Sequence, residues 1–541
     1  MKAFAVISTT VLLLTLTLTL TAPSPVEAHT PCKGSPESVV HLTLLHFNDV
    51  YELSPLVGGT LGGLARVTTL RKDLLKENPN TFTFFGGDLY WPSAMGQAIV
   101  EGTPVDGEQT VAAMNTVGVD YMVFGDHELH VSSEKEFYQR LQETKFPILS
   151  ANVFNANGKP FPGVAATDSF TVANEAGYKV RVGVFGITKP IRESPVQYTY
   201  VDPFQITENE YPFQIIEEQI KLAGQIKKLA REVDLLIALT HFDVREDIEI
   251  AKRFPDIDLI LGGDNHEKME REVTAGERLA AIYKSDSNSR SVYIIDVCYD
   301  TAADTFTLEA RSEDITDKIP EDPKTKAVVD YWEGVISEYY DDKGMLDPLA
   351  LAPPDFNGFA DQVRNFKTGL TNLVTEGMQT AAPGTELALL YSFAIRLDDL
   401  IPEGEPVTEY DVLRIFPISD PNIVSVEIVG SLLKKVLDAG QKFAGSGCYL
   451  LSSANVTRKE AGVWQIDGVN LDSTKKYQVA MTDDYVTNFS ICGPRQDDGK
   501  PISAKDVPLI SAKDDVPLIS THCTTLRQAF ADQLSKYAQH K

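Results

Sequence analysis

Five apolar runs of strand length, LTLL, TFTFF, DYMVF, DLLIAL and DLIL, each lead into a short polar phrase rich in Asp, His or Gly. The phrases are HFND (His46 to Asp49), GGD (ending at Asp88), GDHE (Gly125 to Glu128), TH (ending at His241) and GGDNH (Gly262 to His266). Continuous apolar runs suit strands buried on both faces. An acidic or imidazole side chain just past such a run, beside glycines that permit a tight turn, lands at the carboxyl edge of a sheet, where open α/β sheets bind ligands. Carboxylates and imidazoles pooled at one edge predict a centre for two metal ions.

From Leu42 to Cys298 these runs alternate with helical patterns such as Leu64, Val67, Leu70 and Leu74, which predicts an α/β layered domain over residues 40–317. Residues 318–362 read as a helix behind a Pro-rich start, IPEDPKTKAVVDYWEGVISEYY, followed by a linker, LDPLALAPPDFNG. Residues 363–541 mix helices (Gly369 to Gln379, Ser431 to Phe443) with strands (Ile423 to Ile428, Tyr477 to Met481), which predicts a separate α+β domain. The tandem ISAKDVPL and ISAKDDVPL phrases at 502–518 are too short for a solenoid repeat and read as a lengthened surface loop.

Residues 1–28 carry one basic residue, an apolar stretch from Val11 to Leu20 and a small-residue close at Ala28, the pattern of a removable signal peptide. The polar SKYAQHK end lacks a lipid-anchor signal, so the expected mature chain is secreted or extracytoplasmic (periplasmic in a bacterium), with no stable membrane anchor. None of the five cysteines forms a Cys-x-x-Cys pair, which favours disulfides over a thiolate metal site, with one bridge expected among Cys448, Cys492 and Cys523. A formal charge of −28 argues against binding a nucleic acid polymer, which needs a basic face. The oligomeric state is left open.

The order of the phrases resembles the 5′-nucleotidase family, together with GGLARV (Gly62 to Val67), ILSANV (Ile148 to Val153), TNLVTEGM (Thr371 to Met378), AIRLDD (Ala394 to Asp399), YDVLRIFP (Tyr410 to Pro417) and VEIVGSLLKKVLDAG (Val426 to Gly440). The resemblance implies a four-layer α/β/β/α, calcineurin-like metallophosphoesterase domain and a separate α+β nucleotide-binding domain. It implies two divalent ions (Mn, Mg, Ca or Zn), one at Asp49, Tyr51, Asp88 and His266, the other at Asp88, Asp126, His241 and Asp264. It further implies His127 and His130 as the catalytic pair, Arg396 as the phosphate grip, and Tyr391, Phe393 and Tyr485 as substrate contacts.

The chain departs from the family pattern at several of these positions. Tyr51 stands in place of His, Asp126 of Asn, Asp264 of His and His130 of Asp, while Tyr391, Phe393 and Ile418 replace an Asn, a Gly and an aromatic. Two of the ligand changes keep hard oxygen donors, which shifts preference toward Mg²⁺, Mn²⁺ or Ca²⁺ and away from Zn²⁺. Tyr51 is a poor ligand unless it loses its proton, and Glu52 beside it offers a carboxylate. His130 gives His127 no fixed negative charge, so slower catalysis is expected. The expected activity is metal-dependent hydrolysis of a nucleotide to nucleoside and phosphate. The alternatives are a weakened or inactive relative that binds nucleotide, metal or protein, and a phosphodiesterase for nucleotide sugars or cyclic nucleotides.

Overall fold

The computed structural model describes Cys32 and residues 36–191, 194–204, 213–459, 462–484 and 518–539. Its first half is built on two sheets. In the seven-stranded sheet the order runs Thr305–Asp314, Ser291–Asp300, Val39–Phe47, Thr81–Phe85, Tyr121–Val123, Ile148–Leu149, Val164–Ala165. In the six-stranded sheet it runs Met269–Ala275, Arg278–Lys284, Leu259–Gly262, Leu235–His241, Lys179–Thr188, Thr167–Ala173. Strands ending in the polar phrases are parallel neighbours within each sheet, as in the pairings Phe47 with Phe85, Phe85 with Met122, and Thr240 with Gly262.

The apolar runs explain the layering. On Val39–Phe47, Val40, Leu42 and Leu44 are buried between the sheets, while Leu45 and Phe47 belong to the core under the outer helices. On Leu235–His241, Leu235, Ile237 and Leu239 face the same inter-sheet core, while Leu236 and Ala238 pack beneath the helices Phe213–Ala230 and Val244–Arg253. Each such side chain taken fully from water stabilises the fold by about 1.5–3 kcal/mol, before entropic costs. The result is a four-layer α/β/β/α domain.

The helix read behind the Pro-rich start is Pro323–Asp341, capped by Asp322 with Pro323 in its first turn. Its Val329, Trp332, Ile336 and Tyr340 pack into the core of the first half. Within the stretch read as linker, Pro348–Leu351 pairs with Pro406–Thr408 and Phe356–Asn357 with Leu400–Ile401, which ties it to the second half.

That half has a five-stranded mixed sheet in the order Leu450–Ser452, Leu387–Tyr391, Lys476–Thr482, Asn422–Val429, Leu518–Thr525. Helices Gly369–Ala381 and Leu526–Gln539 cover one face, and Gly430–Lys442 the other. It is a separate α+β domain, as the sequence leads one to expect. Cys32 is bridged to Cys298 on Ser291–Asp300, and Cys448 is also disulfide-bonded, to a partner whose side chain lies outside the described residues. The segment read as a signal peptide, Tyr485 and the tandem ISAKD phrases lie outside the described residues. Among the described residues, no helix is long and apolar enough to cross a membrane.

Candidate active site

The carboxyl ends of both sheets converge on one cluster of polar side chains. The first sheet delivers Asp49, Asp88, Asp126 and His127; the second delivers Lys189, His241, Asp264 and His266. The turns that carry them are tight. Asp49, Asp88, Asp264 and His266 all have positive φ, at 53°, 62°, 80° and 61°, a conformation that costs an ordinary residue on the order of 1–3 kcal/mol. A side chain at Gly125 would overlap the Asp88 carboxylate, and one at Gly263 would overlap the Gly86 carbonyl, so glycine there lets the strand ends close on one another. Three overlapping sets, Asp49/Asp88/His241, Asp88/Asp126/His127 and Asp126/His241/Asp264, bring one donor atom each within 4.8 Å of one another.

The donors divide around two centres. At the first, the Tyr51 hydroxyl lies 3.2 Å from Asp49 Oδ1, 2.9 Å from Asp88 Oδ2 and 3.1 Å from His266 Nε2. It therefore sits among the donors rather than beside them. Burial, with Asp88 and Asp49 adding to it, raises the phenol pKa well above its ordinary value, so Tyr51 keeps its proton. Glu52 points elsewhere, 3.2 Å from Arg414 of the second half.

At the second centre, His241 Nδ1 is 2.7 Å from the Gly86 carbonyl, which can only accept, so Nδ1 carries a hydrogen. Its Nε2 then faces Asp126 Oδ1 at 3.3 Å, Asp88 Oδ2 at 3.4 Å and Asp49 Oδ1 at 3.9 Å. Burial opposes a charge on this ring, yet Asp88 and Asp49 raise its pKa well above the ordinary value: positive charge is stabilised at this point. Lys189 supplies more of it, with its ammonium 3.3 Å from Asp126 Oδ1 and in a short contact with Asp264 Oδ1.

Facing both centres, Arg396 Nη2 lies 2.8 Å from His127 Nε2, and His127 Nδ1 lies 3.0 Å from His130 Nδ1. A guanidinium only donates, so His127 Nε2 accepts and its hydrogen resides on Nδ1, pointed at His130. Burial lowers the His127 pKa to about 4, which agrees with a neutral ring. Trp91 packs against both imidazoles, with ring centroids 4.9 and 5.3 Å away.

Arg396 comes from the second half, so the halves meet over the site. Tyr391 is buried in the core of the second half, at 8% exposure, in a stacked pair with Phe393 (5.9 Å between centroids), and Tyr485 is outside the described residues.

Four contributors escaped the sequence reading. Lys189 follows the apolar run VGVFGIT, as the acidic residues follow theirs, but a search for Asp and His passes over it. Lys284, fully buried, pairs with Asp247 at 2.6 Å and donates to the Gly263 carbonyl at 2.7 Å, which braces the turn bearing Asp264. Glu128 accepts from the backbone N–H groups of Leu89 (2.5 Å), Asp88 (3.2 Å) and Gly125, clamping the turns that bear Asp88 and Asp126 together; burial and then Asp88 push its pKa up to about 8. Asp398, in the second half, accepts from His266 Nδ1 at 2.7 Å.

The sequence profile described as "Calcineurin-like phosphoesterase" matches residues 42–268, and that of "5'-nucleotidase, C-terminal domain" matches residues 352–489; together they take in more than half of the chain. The chain is 25% identical to the trifunctional nucleotide phosphoesterase protein YfkN of Bacillus subtilis (strain 168) over 440 residues, 74% of this chain and 27% of that protein. It is 25% identical to the 5'-nucleotidase of Bos taurus over 369 residues, 62% of this chain and 59% of the relative. The matches thus span less than two thirds of either relative's length. The crystal structure of a 5'-nucleotidase precursor from Thermus thermophilus shares the fold, with a TM-score of 0.66 at 21% identity, covering 92% of this chain and 97% of that one. With its metallophosphoesterase half in front, its nucleotidase half behind and the site between them, the chain belongs to the 5′-nucleotidase family of calcineurin-like phosphoesterases.

Proposed function

We propose that the chain binds a nucleotide by its phosphate in the cleft between the halves and hydrolyses the ester with one divalent ion held by Asp88, Asp126, His241 and Asp264. The fold implies metal, and this second centre fits it. His241 Nε2 and Asp126 Oδ1 are both buried without a well-formed hydrogen bond; the ring nitrogen is aimed into a set of carboxylates, and the oxygen is met only by the ion-pair contacts of His241 and Lys189. Three carboxylates and one imidazole suit Mn²⁺ or Mg²⁺ better than Zn²⁺. The first centre fits an ion less well, since a phenol, a weaker donor than a carboxylate or an imidazole, stands among its donors.

A divalent ion at the second centre supplies Lewis acidity toward phosphoryl oxygen and acidifies water. The chain's own groups do the rest. Arg396 presents a planar guanidinium suited to two phosphate oxygens. His127, kept neutral by burial, accepts from Arg396 and so holds that fork over the carboxylates. Trp91 shields both imidazoles on one side.

The observation that carries this reading is the 2.8 Å contact of Arg396 with His127, which joins a phosphate-gripping cation of one half to the ligand floor of the other. Export to an oxidising compartment is part of the reading, supported by the Cys32–Cys298 bridge. The test is phosphate release by the full chain from nucleoside monophosphates, nucleotide sugars and bis-p-nitrophenyl phosphate, with Mn²⁺, Mg²⁺, Ca²⁺ or Zn²⁺ added. We expect turnover of a nucleoside monophosphate with Mn²⁺ or Mg²⁺. Arg396→Gln is expected to raise KM by about tenfold, the worth of one charge-assisted contact. No turnover above a His127→Ala control with any metal sinks the catalytic reading. It would favour a second one, a nucleotide-binding relative without catalysis, for which the Tyr51 hydroxyl at the first centre is the specific observation.

A further inference from the structure

We infer that Lys189 is a tethered stand-in for the divalent ion at the second centre, holding the site together when no ion is bound and being displaced when one enters. The inference rests on the reading of that centre as an ion site and concerns how its occupancy is controlled.

Lys189 is the first residue beyond the strand Lys179–Thr188, and its backbone N–H bonds the His241 carbonyl at 3.1 Å. Its backbone is thereby fixed at the same sheet edge as the ligands. The side chain is only 25% exposed, and its ammonium bridges two carboxylates that belong to different sheets: Asp126 from the first and Asp264 from the second. Asp126 and Asp264 are themselves 16% and 20% exposed, so neither is a freely solvated surface acid. Those two residues, with His241, form one of the three donor sets compact enough for an ion. The ammonium therefore occupies the charge position that an ion at this centre would occupy, and the same oxygen atoms cannot serve both fully.

Two consequences follow from the geometry. Without metal, Asp88, Asp126 and Asp264 would repel one another across the joint between the sheets; a covalently attached cation offsets that repulsion and needs no ion from solution. With metal, entry at the second centre must first break two charge-assisted contacts, so affinity is lowered by the cost of expelling Lys189. A lysine is a compact charge on a flexible stem, able to retreat toward solvent as an arginine fork would not.

The test uses the full chain as wild type, Lys189→Ala and Lys189→Gln. Mn²⁺ binding is measured by calorimetry after removal of metals with EDTA, and thermal unfolding is followed in EDTA and in Mn²⁺. The variants are expected to bind one Mn²⁺ at least about tenfold more tightly than wild type, a modest return for two released charge-assisted contacts. In EDTA they are expected to melt below wild type, and in Mn²⁺ to recover. Variants that bind Mn²⁺ no more tightly than a wild type that does bind it overturn the inference and leave the ion site standing. Variants that melt with wild type in EDTA overturn it as well. Absence of Mn²⁺ binding in wild type and in both variants removes the ion site and the inference together. If Lys189→Ala does not fold in EDTA, the Lys189→Gln pair of measurements decides, since glutamine keeps most of the stem and a donor without the charge.

Discussion

The two centres share Asp88, yet they meet their electrostatic needs in opposite ways. At the first, a neutral hydroxyl is enclosed by two carboxylates and an imidazole, and Tyr51 is only 5% exposed. At the second, the groups are charged, Lys189 is partly open to solvent, and His241 Nε2 is left without a hydrogen bond. A plug built from a rigid ring in a packed wall is costly to move, because core packing has to give way with it. A cation on a flexible stem at a half-open edge is cheap to move. On the reading proposed above, a side chain that fills the space of a ligand closes a metal position, whereas a mobile counter-charge only raises its threshold.

The largest change expected from sharpening this contrast is at the floor of the second centre. Lys284→Met leaves Asp247 buried without its partner and releases the Gly263 carbonyl, so urea unfolding should show a loss of about 3–5 kcal/mol, with Mn²⁺ binding lost as the Asp264 turn loosens. A loss under about 1 kcal/mol, the range of ordinary surface changes, would mean that methionine packing compensates and the brace is not needed. Next, Tyr51→His should abolish the difference between the centres by exchanging the plug for an imidazole donor. Metal analysis of the dialysed chain is expected to rise by one bound ion per molecule, and an unchanged stoichiometry would show that the hydroxyl is not what closes the first centre. The smallest effect belongs to Tyr51→Phe. It keeps the ring and removes a hydroxyl that three groups surround, and chemical denaturation should register about 1–3 kcal/mol, the penalty for stranding buried partners. An effect near zero would point to water taking the vacated place.

Strand ends were the legible part of this chain. The rule that a polar residue after an apolar run reaches the sheet edge selects Asp49, Asp88, Asp126, His241, Asp264 and His266, and the structure brings those six onto one floor. The same rule extends to Lys189, a cation that a pattern of Asp and His does not include. Lys284 was hidden for another reason: it ends the strand RLAAIYK, and only the tertiary fold shows that its ammonium is fully enclosed beside Asp247. Tyr391 and Phe393 show the limit for aromatics. Their stacking on each other inside the second half depends on which face of Leu387–Tyr391 points inward, a choice that five alternately packed residues do not reveal. The segment 348–357 looked like a linker because it is rich in proline, and its strand partners lie far along the chain, in Leu400–Ile401 and Pro406–Thr408. Asp398 escaped because nothing local announces that a carboxylate of one half will meet an imidazole of the other.

That last meeting has a consequence for how the molecule works as a whole. Although burial opposes it, His266, Arg290 and Arg364 hold the Asp398 carboxyl below the usual carboxylate range, so it stays an acceptor and dictates which nitrogen of His266 bears the hydrogen. Asp398 is itself oriented by Ser287 and by the Ala360 N–H, one from each half. The tautomer of an imidazole in the polar cluster is thus set only when both halves are in register. Excising the metallophosphoesterase half would preserve every strand end and still lose that instruction: the competent arrangement is a property of the assembled pair, written across the seam and held by neither side alone.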